Sequence, residues 1–456
     1  MTINNLRKIQ KILVANRGEI ACRVLRACKS LGIRSVAVYS RIEKSSLHVE
    51  MADEAYPVPE HEMPGYGYLD IAGLVAIGAK AGVDAIHPGY GFLSENPNFA
   101  RASVEAGIAF IGPPAEVISS MANKREARET LRGLGVPVLS GTSGSLDGSA
   151  DIEEQAQAIG YPVMVKASEG GGGIGLGIIP GPERLSRALR RAGSASNRAF
   201  GSDDLYLEKY IPDARHVEVQ VLGDKHGNVI HLFERECSVQ RRHQKLIEET
   251  PAPLFSNSQR AAITEAALTA ARGIGYQNAG TFEFLVDPDG KFYFLETNTR
   301  LQVEHGITEM TTGFDLVEQQ IRVASGEPLD ITQSDIRPQG HSLEVRICAE
   351  DPDSFLPSPG LLSDWIIPSG DGIRVESGVR AGDEVSSYFD PLIAKILIHA
   401  DGRSAAIDKM LSTLRNARIE GIKTNVPFHI KALESERFQD GSYTTQLAAQ
   451  LTAPPS

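Results

Sequence analysis

Between positions 281 and 309 the chain reads TFEFLVDPDGKFYFLETNTRLQVEHGITE, and its polar residues are spaced as a reaction centre would need them. Two alternating apolar runs, Thr281–Val286 and Lys291–Leu295, flank Asp287-Pro288-Asp289-Gly290, whose Asp-Gly end favours the positive φ of a tight turn. The spacing predicts a β-hairpin with Glu283 on one strand and Glu296 and Asn298 at the end of the other. Three hard oxygen ligands held close together suit Mg²⁺ bridging substrate phosphates better than zinc. Just beyond stand Arg300, Gln302 and Glu304: a cation fork, an amide and a carboxylate on one extended segment. The competing reading of this stretch alone is an amphipathic hairpin with a solvated charged edge.

Composition narrows the class. The 456 residues allow roughly three domains at about 150 residues each. With 46 Lys and Arg against 58 Asp and Glu the formal charge is −12, so nucleic acid is not the expected main partner, although a local basic cleft for a phosphorylated substrate remains compatible. Cys22, Cys28, Cys237 and Cys348 have no CxxC spacing and fit buried thiols in a reducing compartment. The N-terminus carries no signal-peptide apolar core and no run of 18 apolar residues occurs, so a soluble, cytoplasmic protein without membrane attachment is expected.

The elements that must position the site can be read in order. The strand 11–16 (KILVAN), a helix carrying Ile20, Val24, Leu25 and Cys28 at helical spacing, and the strand 35–40 (SVAVYS) make a β-α-β opening, which points to a parallel, helix-covered sheet of Rossmann type. GxGxxG is absent, so a dinucleotide grip of the usual kind is not supported. HPGYGFLSEN at 87–96 is a loop of the kind in which ligand-binding groups collect, or a structural turn. Residues 121–160 look helical and polar. Lys124 lies there on a basic amphipathic helix ending near Gly135-Val136-Pro137, and spacing alone makes it a solvated face. The strand 161–168 runs into Glu169-Gly170-Gly171-Gly172-Gly173-Ile174-Gly175. A glycine loop leaving a strand exposes backbone N–H groups to a polyphosphate, and Lys166 at the strand end would meet its charge; this is not a Walker A loop.

Further on, 205–211 (LYLEKYI) reads as a strand able to frame an adenine ring. Strong alternation begins at His216, and 228–249 continues as another strand and a polar loop. Gln240, Arg241, Arg242, His243 and Lys245 form a donor cluster suited to an anion or to a positive surface loop. Helices are expected over 257–274, 314–326 and 404–418, and strands over 340–351, 373–377 and 393–398, with Arg346 in mid-strand. The end, LTAPPS, reads as a disordered tail.

Taken together, KILVANRGEIACRVLRACKSLGI, HPGYGFLSEN, VKASEGGGGIG, RHVEVQVL, ERECSVQRRHQKLIEETPAP, ETNTRLQVEH, TEMTTGFDLVEQQ and EGIKTNV resemble the biotin carboxylase family of ATP-grasp enzymes, from about residue 10 to 447. The resemblance implies a mixed α/β and α+β fold: a Rossmann-like N-terminal domain (1–121), an ATP-grasp domain (122–335) with a glycine-rich lid near 138–211, a C-terminal α+β domain (336–447) and a tail (448–456). It implies ATP-, Mg²⁺- (or Mn²⁺-) and bicarbonate-dependent carboxylation of biotin on a separate carrier protein. The implied partners are a biotin carboxyl carrier protein, a carboxyltransferase subunit and a second copy of the chain.

Position by position, the resemblance places Lys124, Lys166 and His216 on ATP phosphates and ribose, Gly172 and Gly173 in the lid, Glu208, Lys209, Tyr210 and Ile211 at the adenine hinge, and Gln240 and His243 on the nucleotide. Glu283, Glu296 and Asn298 match metal ligands. Lys245, Arg300, Gln302 and Val303 match the bicarbonate pocket, Glu304 the general base and Arg346 the residue facing biotin's ureido oxygen. Three departures stand out: Ile174 and Gly177 replace lid arginines, Gly306 replaces a usual proline and is expected to loosen the segment carrying Glu304, and Phe389-Asp390-Pro391 replaces Tyr-Asp-Ser. Ile174 and Gly306 are similar to the biotin carboxylase part of urea-type carboxylases. Another ATP-grasp carboxylate–amine ligase and a catalytically silent ATP-binding subunit are the alternative functions.

Overall fold

A computed structural model describes residues 8–142, 144, 146, 151–168 and 175–453. Its first sheet is parallel, in the order β3-β2-β1-β4-β5, built from β1 (Lys11–Val14), β2 (Arg34–Tyr39), β3 (Glu54–Pro57), β4 (Ala85–His87) and β5 (Ala109–Phe110). These strands are short continuous apolar runs because helices cover both faces. The expected β-α-β opening is present, its helix spanning Gly18–Ser30.

The basic amphipathic helix expected around Lys124 is present as Lys124–Gly133, starting a few residues later than expected. Asn123 is extended (φ −88°, ψ 110°) and accepts a hydrogen bond from the Glu126 N–H, ending one helix at Ala122 and starting another at Lys124. A three-stranded antiparallel sheet follows, with β6 (Val163–Ala167) between β7 (Gly177–Ile179) and β8 (Leu205–Lys209). The Gly172, Gly173 and Ile174 positions of the expected lid lie outside the described residues. Gly177 opens β7 opposite Val165, so that departure lies in a sheet register position.

The central feature is one eight-stranded antiparallel sheet. It contains β9 (Arg215–Gly223), β10 (Val229–Arg241), β11 (Gln244–Thr250), β12 (Asn278–Val286), β13 (Phe292–Asn298) and β14 (His341–Cys348). The two-stranded ribbons β15 (Gly360–Leu361) with β18 (Glu384–Val385), and β16 (Asp364–Ile366) with β20 (Arg418–Glu420), flank its last members, β17 (Ile373–Ser377) and β19 (Leu392–Ala400). The order is β13-β12-β9-β10-β11-β14-β19-β17, so the sheet runs unbroken across the boundary expected near 335. The segment expected as a strand and a polar loop is instead a hairpin. Arg242 and His243 both take positive φ, 49° and 66°, as a two-residue primed turn requires, and β11 returns directly.

Alternation explains how this sheet has two buried faces of opposite character. On β9, Val217, Val219 and Val221 join Phe282, Phe284 and Phe294 against the helix Asn257–Gly273, while His216, Glu218 and Gln220 point the other way. On β11, β14 and β19, Ile247, Val345, Ile347, Ile396 and Ile398 pack beneath the helices Arg403–Asn416 and Val426–Glu434. The chain end is more ordered than expected: Leu447–Thr452 is helical, with Leu447 and Ala448 buried in that same core.

Glu249 ties the far side of this core. Its carboxylate accepts from Arg403 (2.8 and 2.9 Å) and from the Tyr443 hydroxyl (2.5 Å), and lies 2.6 Å from His341 Nε2. Burial pushes this acid up, but hydrogen bonds and charge from His341 and Arg403 outweigh it and bring it down to about 2. A group whose folded pKa is depressed stabilises the fold above its ordinary value of 4.5 and loses that contribution as pH falls through 2. Urea unfolding of Glu249→Gln is expected to show a loss of roughly 3–5 kcal/mol near neutral pH and a shallower decline in stability between those two pH values. An unchanged acid slope would show that Glu249 does not carry it.

Candidate functional site

The polar face of β9–β13 and the segment after β13 that carries Arg300, Gln302 and Val303 line a cavity of about 1180 Å³. The hairpin predicted at 281–298 is present as β12 and β13, turning at Gly290 with φ +82°. Its register sets Glu283 directly opposite Glu296 and Thr281 opposite Asn298. Asn298 donates from Nδ2 to Glu283 (2.7 Å) and accepts at Oδ1 from Arg300 (2.9 Å). The three predicted metal ligands are therefore adjacent, on one face and at one strand end.

Lys245 is the hub. Its ammonium donates to Glu218 (2.5 Å), Glu283 (2.8 Å) and Glu304 (2.7 Å). Arg235, fully buried, supports Glu218 from behind and also donates to Gln220 (2.8 Å) and Thr308 (2.9 Å). Arg346 reaches Glu304 through Nη2 (3.0 Å) and Glu248 through Nε (2.6 Å). Burial pushes the Glu304 carboxyl up, but Lys245, Arg346 and Arg235 hold it well below the usual carboxylate range. The same balance holds for Glu283, where Lys245 and His216 overcome burial. Glu296 is also lowered, because Lys124 outweighs burial and the repulsion of Glu283.

Arg300 is held by three groups: Glu95 (2.9 Å), Gln302 Oε1 (3.0 Å) and Asn298. Gln302 also donates to Glu283 (3.1 Å). Val303 lines the cavity, and its carbonyl accepts from the buried Lys395. Lys124 pairs with Glu296. His216 Nε2 lies 2.8 Å from Glu283, and the Gln240 amide is hydrogen-bonded to its Nδ1 at 2.8 Å. Lys166, Lys209, Tyr210, Ile211 and His243 also line the cavity. Lys209 directs its ammonium away, to the carbonyls of Gly160 (2.8 Å) and Tyr161 (3.1 Å), which leaves the strand edge towards the opening.

Two expected residues sit otherwise than expected. Glu208 does not line the cavity; its buried carboxylate is held by Lys166 and by Arg128 (3.1 Å), so it fixes the Lys166 ammonium. Glu304 lies beneath the cavity wall, fully buried between Lys245 and Arg346. Four carboxylates were missed. Glu218 and Glu248 sit on alternating strands, where a buried acid looks like any polar strand residue, and Glu344 is of the same kind. Glu95 lies in the 87–96 loop already marked as ligand-like, and only the fold brings it to Arg300 across 205 positions.

Gly306, expected to loosen the segment carrying Glu304, sits in a closely packed position. It is buried in the first turn of the helix His305–Thr312, and a methyl group there would stand 2.4 Å from Leu397 Cδ2. Leu397, projecting from β19, fills the place of the missing side chain. Phe389 also has a defined role, stacking under the Arg17 guanidinium at 3.8 Å from ring centroid to Cζ.

Comparison with known proteins covers nearly the whole chain. Residues 8–118 match the family model of the biotin carboxylase N-terminal domain, 123–332 that of the carbamoyl-phosphate synthase L chain ATP binding domain, and 344–450 that of the biotin carboxylase C-terminal domain. The chain is 48% identical to biotin carboxylase 2 of Bacillus subtilis (strain 168) over 443 residues, covering 96% of this chain and 99% of that one. It is 48% identical to the 2-oxoglutarate carboxylase small subunit of Hydrogenobacter thermophilus over 96% of this chain and 92% of that one. The crystal structure of the Hydrogenobacter thermophilus 2-oxoglutarate carboxylase biotin carboxylase domain dimer, with MgADP, ADP and bicarbonate, superposes with a TM-score of 0.95 at 47% identity, covering 99% of this chain and 100% of that one. The Campylobacter jejuni biotin carboxylase β-γ-ATP complex gives 0.95 at 45% identity, covering 97% and 99%.

The contact at Gly306 generates a stability test. In urea unfolding, Gly306→Ala and Leu397→Ala are expected to couple by about 0.5–3 kcal/mol, the double variant losing less than the sum of the singles. Strict additivity would show that Leu397 is not what occupies that space.

Proposed function

The chain belongs to the biotin carboxylase family, and on that premise we propose that it uses ATP and bicarbonate to carboxylate biotin carried on a separate protein. The observation that supports this best is the buried Glu304 carboxylate lying between Lys245 and Arg346, beside Arg300. Bicarbonate seated against Arg300, Gln302 and Lys245 shares the cations that hold Glu304 ionised. Its negative charge therefore raises the affinity of Glu304 for a proton just where one must be taken.

Glu304 then removes the bicarbonate proton, and the resulting dianion attacks the γ-phosphate of ATP, giving carboxyphosphate and ADP. Lys124, Lys166 and His216 are the groups placed to hold the phosphates, with Gln240 orienting His216, His243 at the cavity edge, and the Lys209–Ile211 strand edge beside the base. Glu283, Glu296 and Asn298 fit Mg²⁺: they offer two carboxylates and an amide oxygen, all hard oxygen donors, at one strand end. When bound, the metal supplies charge neutralisation of the transferring phosphoryl group.

Carboxyphosphate splits into CO₂ and phosphate, the phosphate takes the ureido proton of biotin, and the freed nitrogen attacks CO₂. Arg346 stabilises the charge that develops on the ureido oxygen. Relatives of this chain are subunits of larger biotin-dependent carboxylases, and one solved relative is a dimer. The matching assembly for this chain is a homodimer served by a biotin carboxyl carrier and a carboxyltransferase subunit, and the latter chooses the acceptor. No helix among the described residues is long and apolar enough to cross a membrane, and cytoplasmic placement accompanies this reading.

ATP cleavage by the purified chain should require bicarbonate and rise with free biotin; no response to either would overturn the reading. Glu304→Gln should lower bicarbonate-dependent ATP cleavage at least about 100-fold, the usual scale for losing a general base, with the folded state intact by circular dichroism. Arg346→Met should depress biotin carboxylation more than ATP cleavage, as a residue facing biotin requires.

A further inference from the structure

Behind Arg346 lies a group of acids that the mechanism above does not use. The face of β11, β14 and β19 turned away from the C-terminal helices carries Glu248, Glu344, Arg346 and Lys395. Glu248 and Glu344 are direct cross-strand partners, as are Arg346 and Lys395. Directly opposed side chains start about 5 Å apart at Cβ. Glu248 Oε1 accepts from Arg346 Nε at 2.6 Å, whereas Glu248 Oε2 and both oxygens of Glu344 have no hydrogen-bond partner among the described residues. Both side chains are fully buried.

The neighbouring charges do not balance this pair. Lys395, from β19, donates to the Val303 carbonyl and lies 3.9 Å from Glu19 of the helix Gly18–Ser30. Lys245 is already shared among Glu218, Glu283 and Glu304, and Arg346 is shared with Glu304. His305, on the next helix, is kept neutral by burial and by Lys395. Glu19 is met by Lys395, Arg26 and Arg23, and Glu304 by Lys245, Arg346 and Arg235, so among the described residues Arg346 is the cation hydrogen-bonded to the Glu248–Glu344 pair. In a dry interior two opposed carboxyls without a cation between them keep a proton. Burial raises Glu344 well above the usual range, Glu248 adding to the shift against Lys395. Burial also lifts Glu248, to about 7, with Arg346 holding it back.

We propose that Glu248 is a positioning residue for Arg346 and that the Glu248–Glu344 pair acts as a one-proton switch upon it. With Glu248 ionised, Arg346 is anchored through Nε and keeps its remaining edge towards the cavity. With the proton on Glu248 the anchor weakens, and Glu304 alone draws the guanidinium. The inference rests on the proposed role of Arg346 towards biotin. Its direction follows from the sign: Glu248 loses its charge as pH falls through about 7, so biotin carboxylation declines there while ATP cleavage without biotin declines less.

The test compares pH profiles of both activities, with free biotin as the probe, in the full chain and its variants. Glu344→Gln keeps the neutral form that burial already gives Glu344 and should leave the acid limb of kcat/KM for biotin in place. Glu248→Gln should lower kcat/KM for biotin about tenfold, the scale of a lost charged hydrogen bond, and erase the limb, with Glu248→Asp recovering part of it. A limb that persists in a normally melting Glu248→Gln, or equal loss of both activities in that variant, would overturn the proposal. If Glu248→Gln does not fold, the titration of Arg346 in the unaltered chain decides. The Arg346 Nε–Hε resonance, titrated across neutral pH, reads the switch without turnover: a midpoint near 7 supports it, and a flat resonance overturns it. A chain with no biotin-dependent turnover but a titrating resonance would fail the functional reading alone.

Discussion

A single ammonium group, that of Lys245, holds three buried carboxylates from three different elements: Glu218 on β9, Glu283 on β12 and Glu304 at the start of the helix His305–Thr312. Without that cation, three acids at 4% exposure or less would face one another in a dry interior, where at least some would have to take up protons or turn outward. Arg235 below and Arg346 beside extend the arrangement, so each carboxylate has a cation and each cation is shared. Sharing gives the site its chemistry. Cations that are only partly neutralised can accept another anion, and a carboxylate held by shared cations becomes a better base when that anion arrives.

The sheet makes this possible by having two unlike buried faces. A strand such as β9 alternates valine with His216, Glu218 and Gln220, and the valines satisfy one layer of helices while the polar set faces the cavity. A solvated polar face would suit the same pattern, but here the helix His305–Thr312 packs on the sheet at β10, β11, β14 and β19, and the first sheet's helix Gly18–Ser30 at β17 and β19. Arg23 fastens that cover by pairing with Glu309 at 2.8 Å and Asp315 at 2.7 Å. Covering a polar face carries a desolvation cost, which the reciprocal ion pairs offset. Glu344, whose oxygens have no hydrogen-bond partner among the described residues, marks where that compensation stops.

The sequence departures divide by whether the neighbourhood adjusts to them. At Gly306 a leucine from β19 moves into the space, so the helix that begins after Glu304 stays packed. At Gly177 the residue is part of a strand pairing, so its effect belongs to the small sheet. Neither outcome is visible from the departing residue itself, because each depends on a partner more than ten positions away in the chain.

Sequence by itself determined the parallel opening sheet, the hairpin at 281–298, the grouping of Glu283, Glu296 and Asn298, and the family, because local periodicity and contiguous motifs encode all of these. It misread the segment after Cys237, where a primed turn at Arg242–His243 hides inside a run of polar residues. Tertiary structure alone decided which charges meet. Glu95 reaches Arg300, Glu208 turns from the cavity to Lys166, and Glu248 backs Arg346. The physical reason is that an acid on an alternating strand looks the same whether water or another strand's cation faces it. Only the register of β11 on β14, and the cover laid over that face, distinguish the two.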